Sequence, residues 1–164
     1  MRPAYRVRQF RDHLLARVAP DERAAAHEAL PPAAAAVFDG MPIADQRHAL
    51  DVVARLRAAG QTDPDLVVAA LLHDAGKGDR VRLWHRVATV LVAAVAPSRL
   101  DRLGSTDPGS WRYGFHVQRH HEQLSADAAL AAGCSPRVAA LIAGTADAPD
   151  AQLAAALEAA DAAS

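Results

Sequence analysis

His73 and Asp74 stand side by side at the end of an apolar run, in Leu71-Leu72-His73-Asp74-Ala75-Gly76-Lys77-Gly78. A solvated helix end accounts for a lone His-Asp pair. Two further groups change that reading. His48, in Asp45-Gln46-Arg47-His48-Ala49-Leu50-Asp51, and Asp161, in Leu157-Glu158-Ala159-Ala160-Asp161, are also polar donors set into apolar helical faces. Imidazole nitrogen together with carboxylate oxygen suits a first-row divalent ion, whereas an all-oxygen set suits calcium. The chemistry these residues offer is metal binding.

The elements that must position them all read as helices. Val7, Phe10, Leu14, Leu15 and Val18 recur at helical spacing up to Pro20. Asp21 and Glu22 start a second, short helix, and Leu30-Pro31-Pro32 resets the chain before another turn or two from Ala33 to Met41. A longer helix from Ile43 or Ala44 to Gly60 carries His48 on the stripe of Val52 and Leu56. Thr62-Asp63-Pro64 starts the next, which bears His73 and ends near Gly76. Ala75-Gly76-Lys77-Gly78-Asp79 reads as a loop. A helix then runs from Arg82 to Ala96, with a short one from Arg99 to Leu103. After the surface loop Gly104 to Gly109 comes a long helix, Trp111 to Ala132, stopped by Gly133. Ser135-Pro136 opens a helix through Val138, Leu141 and Ile142, and the last spans about Asp150 to Asp161. No segment alternates with period two for long enough to demand a strand. The expected fold is all-α.

At 164 residues the chain has room for one domain and one core. A net charge of -1 gives no bulk attraction to nucleic acid or anionic membrane, so neither a nucleic-acid polymer nor a membrane is expected as partner. Hydrophobic residues make up 51% but aromatics only 4%, so the core must be built from helices that approach closely across Ala contacts. Those Ala-rich faces also leave a homodimer open. Cys134 is the only cysteine, which excludes an intrachain disulfide. With no signal-peptide pattern near Met1, and apolar runs too short to cross a bilayer, the expected location is cytoplasmic.

The ordered set His48, His73-Asp74 and Asp161 resembles the HD phosphohydrolase superfamily, all-helical metal-dependent phosphoesterases named for their His-Asp pair. The resemblance spans Asp45 to Asp161. It implies a compact HD-domain helical bundle at 43–164 with an N-terminal helical extension at 1–42, together forming a single domain. It also implies that His48, His73, Asp74 and Asp161 hold one divalent ion, with manganese, iron, cobalt, nickel and zinc all open. Some members hold a second ion through two further histidines. His121 best resembles the first of these, although His116 or His120 could face the pocket instead. Where the second is expected, just after Ile142, the chain has Ala143-Gly144-Thr145-Ala146. One metal rather than two is therefore expected, unless Asp147 or Asp150 compensates.

The activity implied is hydrolysis of a small phosphomonoester or nucleotide, with Asp74, Lys77 and His121 as catalytic residues. Asp74 would orient the attacking water, Lys77 would reach a phosphate oxygen from a flexible Gly-flanked loop, and His121 would protonate the leaving group or stabilise the phosphate. Arg82 and Arg86, with His116 and His120, are candidates for holding the substrate phosphate. Two alternatives remain: a phosphodiesterase acting on a cyclic or linear dinucleotide, and a non-catalytic protein that uses the metal as a staple or to bind a regulatory ligand. Trp84 and Trp111 fit core or capping positions better than base stacking.

Overall fold

The computed structural model of this chain describes residues 17–80, 104–107 and 109–164. Prolines open several of its helices, because their fixed φ suits the first helical position and the missing N–H is not needed there. Pro20 and Pro32 begin α1 (Pro20–Ala29) and α2 (Pro32–Asp39). Next comes α3 (Ile43–Ala58), which carries His48. Asp63 then accepts a hydrogen bond from Leu66 N at 3.1 Å, capping α4 (Pro64–Leu72). The long α5 (Tyr113–Ala131) is followed by α6 (Pro136–Ile142), where Ser135 Oγ accepts from Val138 N at 3.2 Å. A single 3-10 turn at Ala148–Asp150 leads into α7 (Ala151–Ala162).

The core forms around α4. Every residue from Leu66 to Leu72 is buried, and a helix that is apolar on all sides has to lie inside. It packs on the other six described helices. Leu66, Leu71 and Leu72 are fully buried, and each stabilises the fold by about 1.5–3 kcal/mol. Ala34, Ala49, Ala69, Ala70 and Ala129 are completely buried between helices, the close approach that the Ala-rich composition requires. Among the described residues the molecule is an all-α bundle without strands. Ala26, Leu30 and Phe38, from the stretch read as an extension, belong to the same core cluster as Leu71 and Leu157. No described helix is long and apolar enough to cross a membrane.

Two differences from the sequence reading matter for the site. The first is that α4 stops at Leu72 rather than near Gly76. The second is that Ala75–Arg80, read as a loop, forms 3-10 turns with a break at Gly78, where φ is 47° and a side chain would be strained. The composition of this stretch is that of a loop, but packing against α5 holds it in helical turns. Gly114 lies buried within α5. Trp111 precedes that helix and is 64% exposed, so it is not a core residue. Most of the Val7 to Val18 segment, and the segments from Arg82 to Ala96 and Arg99 to Leu103, lie outside the described residues.

Candidate metal centre

The end of α4 presents the His-Asp pair from a buried position. His73 is the C-cap, and its Nδ1–H donates to Ala70 O at 2.9 Å, satisfying a carbonyl that the helix end would leave without an intrahelical partner. Because a carbonyl can only accept, the proton of a neutral His73 sits on Nδ1, and the lone pair of Nε2 faces inward. That is the arrangement a metal-binding histidine needs. Asp74 follows with 2% of its surface exposed.

Three other elements converge on the pair. From α3, His48 brings its ring centroid to 5.2 Å from that of His73. From α7, Asp161 Oδ1 lies 2.7 Å from His48 Nε2 and 3.5 Å from His73 Nε2. From α5, His121 Nε2 lies 3.8 Å from Asp74 Oδ1, while its Nδ1–H donates to Gln118 O at 3.0 Å. His73 Nε2 and Asp74 Oδ1 are themselves 3.7 Å apart. One donor atom from each of His48, His73 and Asp74 fits in a group whose members are all within 4.8 Å of one another, a cluster that could hold a metal ion. Asp161 adjoins this cluster through the two imidazoles.

The spacing fits a small divalent ion. Two donors each about 2.1 Å from a tetrahedral ion are about 3.4 Å apart, close to the 3.5 and 3.7 Å separations of His73 from Asp161 and Asp74. The 2.7 Å between His48 and Asp161 is the length of a charge-assisted hydrogen bond, so these two have closed on a proton and must open slightly to share an ion. Neither His73 Nε2 nor Asp74 Oδ1 has a hydrogen-bond partner, although both are buried. Asp74 Oδ1 has the Lys77 ammonium beside it, whereas His73 Nε2 has no closer acceptor than Asp161 Oδ1 at 3.5 Å, an arrangement that is costly for a buried polar atom unless something is bound there.

Charge is balanced tightly around the cluster. Burial opposes a charge on His73, yet the neighbouring Asp161 and Asp74 carboxylates outweigh it and raise its pKa. Burial likewise opposes the Asp74 carboxylate, but Lys77 and His73 together hold its pKa below the usual value. The His48 and His73 contacts keep Asp161 ionised well into acid. Burial, reinforced by the Lys77 charge, lowers the pKa of His121. With its Nδ1–H given to Gln118 O, a neutral His121 turns the lone pair of Nε2 toward Asp74.

Compared with known proteins, the chain matches no family model, no curated protein and no solved structure. The centre therefore has to be argued from its own geometry.

Of the residues singled out in the sequence, His48, His73, Asp74, Lys77, His121 and Asp161 come together. Lys77 differs from the expectation of a mobile loop lysine. Its side chain is only 13% exposed, its N–H donates to Asp74 O at 3.0 Å, and its Nζ lies 2.5 Å from Asp74 Oδ1, an ion pair without hydrogen-bond geometry. His116 and His120 instead pack on each other with centroids 4.5 Å apart, and Tyr113 stacks on His116. One residue advances a helix by about 100°, which turns His121 to a different side from His120. Asp150, considered as a compensating ligand, is engaged by Arg137 at 2.8 Å. Arg82 and Arg86 lie outside the described residues.

Two positioning contacts escaped the sequence reading. Gly76 N donates to Ser125 Oγ at 2.8 Å, and a Cβ on Gly76 would lie 2.6 Å from Ser125 N. The glycine lets the Ala75–Arg80 turns rest directly on α5, bringing Asp74 and Lys77 to His121. Beside His48, Arg47 pairs with Asp51 one helical turn on at 2.9 Å and also with Glu22 at 2.7 Å, which fastens α3 to α1. A bare glycine in a polar stretch hinted at the first contact; nothing local marked Ser125 or Glu22 as partners.

Proposed function

We propose that this protein is a divalent-metal-dependent hydrolase of a small phosphomonoester or nucleotide, of the HD type that its motif order resembles. One observation carries the reading: donor atoms of His48, His73 and Asp74 all lie within 4.8 Å of one another, His73 Nε2 among them is buried without a hydrogen bond, and Asp161 Oδ1 stands beside both imidazoles. His48, His73, Asp74 and Asp161 would hold the ion. Manganese, iron, cobalt, nickel and zinc all suit such a mixed set. When bound, the ion supplies Lewis acidity and a water of lowered pKa.

The chain's own groups supply the rest. The Nε2 lone pair of His121 takes a proton from the attacking water as its oxygen bonds to phosphorus. The ester P–O bond on the far side of phosphorus then breaks, the departing oxygen takes a proton from solvent, and His121 releases its own to solvent. Lys77 provides a positive charge for a non-bridging phosphate oxygen. Access to the centre runs past Asp161, whose side chain is 47% exposed and is the most open of the four proposed ligands.

The test is elemental analysis of natively purified protein, combined with a panel of phosphomonoesters, nucleotides and cyclic and linear dinucleotides, for the parent and Asp74→Ala. Stoichiometric metal and turnover of a monoester, both lost in the variant, support the proposal. Turnover of dinucleotides alone moves it to a phosphodiesterase, and metal without any turnover moves it to a structural or ligand-sensing centre. Activity that survives Asp74→Ala overturns it.

A further inference from the structure

Lys77 is the only lysine among the 18 lysine and arginine residues of this chain. Every other basic position carries arginine, whose planar fork stays charged and prefers two-pronged partners. The single compact ammonium, on the most flexible of basic stems, lies at the centre described above. Its Nζ is 2.5 Å from Asp74 Oδ1, close to the distance at which a divalent ion would take that oxygen. The side chain is folded inward and mostly buried rather than extended into solvent.

We infer that Lys77 is a tethered cation that occupies the Asp74 end of the centre in the metal-free protein and leaves when a divalent ion takes its place. This rests on the reading of the centre as a metal site. Asp74 is too deeply buried to stay ionised without a positive partner. In the metal-free state Lys77 supplies that charge, reinforced by the imidazoles. With an ion present, an ammonium against the same oxygen would face a dication at close range, and repulsion drives it off. The Lys77 stem has four rotatable carbons to swing on. The turn beneath it stays in place, held by Gly76 N on Ser125 Oγ and by the left-handed backbone at Gly78. Lys77 thus weakens metal affinity below what the donor set alone would give, stabilises the metal-free fold, and reports occupancy by moving.

Two measurements on the full chain test this, both starting from chelator-stripped protein and using manganese or zinc alone as probe. In the first, calorimetric titration compares the parent with Lys77→Met, which keeps most of the stem and removes the charge. The expected result is affinity at least about tenfold tighter in the variant, with a lower melting temperature in its metal-free form. Equal or weaker affinity in a folded variant, against a parent that binds, overturns the exchange while leaving the metal site intact. Binding by neither protein overturns both readings.

The second measurement needs no substitution and so survives a variant that fails to fold. With one lysine in the chain, acylation by an amine-reactive ester, read by mass spectrometry, reports on Lys77 apart from the α-amine. Labelling of Lys77 should be several-fold faster with metal bound than without. A rate that metal leaves unchanged or lowers overturns the inference.

Discussion

His48 Nε2 donates to Asp161 Oδ1 at 2.7 Å, joining α3 to α7 across 113 residues of sequence. In metal-free protein, Asp161→Ala should destabilise by about 1 kcal/mol, less than a buried charge-assisted bond contributes because Asp161 is half-exposed and screened. In metal-replete protein the loss should be larger, because a ligand is removed as well. Denaturant melts with and without metal measure both; equal losses in the two conditions would show that Asp161 does not serve the ion.

Gly76→Ala should deform the site rather than merely soften the fold. The new methyl would meet Ser125 N at 2.6 Å and Leu124 Cβ at 2.7 Å, so the turn bearing Asp74 and Lys77 must lift from α5. A cost of about 1–3 kcal/mol is expected, with metal affinity falling in parallel. Ser125→Ala leaves the space but strands the Gly76 N–H, and should cost about 1–3 kcal/mol. Calorimetry with a metal titration separates the two.

Metal stabilisation should grow as pH rises from about 6 to 8. The sign follows from His73, whose pKa is raised by the Asp161 and Asp74 carboxylates against the effect of burial. In the metal-free protein its charged form stabilises the fold fully below the ordinary histidine value, and that contribution is lost as pH climbs through the raised one. An ion needs the imidazole neutral, so metal and proton compete. Asp161 stays ionised throughout this window and adds no slope. The difference in melting temperature between loaded and stripped protein, measured against pH, checks the direction; a difference that shrinks on going to pH 8 contradicts it.

Arg137 serves as a structural control remote from the chemistry. It bonds Asp63 at 3.0 Å, Asp65 at 3.2 Å and Asp150 at 2.8 Å, tying the start of α4 to α6 and to the turn before α7. Arg137→Met should lower the melting temperature by leaving three carboxylates facing one another, while metal stoichiometry stays unchanged. Because the network is exposed, the gap between parent and variant should narrow in about 1 M salt.

The local instructions were written plainly in the chain. Asp63-Pro64 and Ser135-Pro136 specify helix starts that the caps on Leu66 and Val138 bear out, and the continuous apolar run Leu66 to Leu72 marks a helix buried on every side. The donor types at His48, His73, Asp74 and Asp161 already pointed to metal binding, since imidazole and carboxylate carry their preferences with them, and the first three form a cluster that could hold an ion. The loop composition of Ala75 to Asp79 misled, because the contact that orders it comes from α5, some fifty residues away.

What the folded molecule alone decided was who meets whom. Helical periodicity fixes the direction of a side chain around its own axis, but the rotation and translation of one helix against another depend on how all the buried surfaces pack together. That is why His121 rather than His116 or His120 turns to Asp74, why Glu22 reaches Arg47, and why Lys77 folds inward onto Asp74 instead of standing in solvent. The first two contacts join residues far apart in sequence that only the packed core brings within reach, while Lys77 lies three residues from Asp74 and packing decides only that its side chain turns inward.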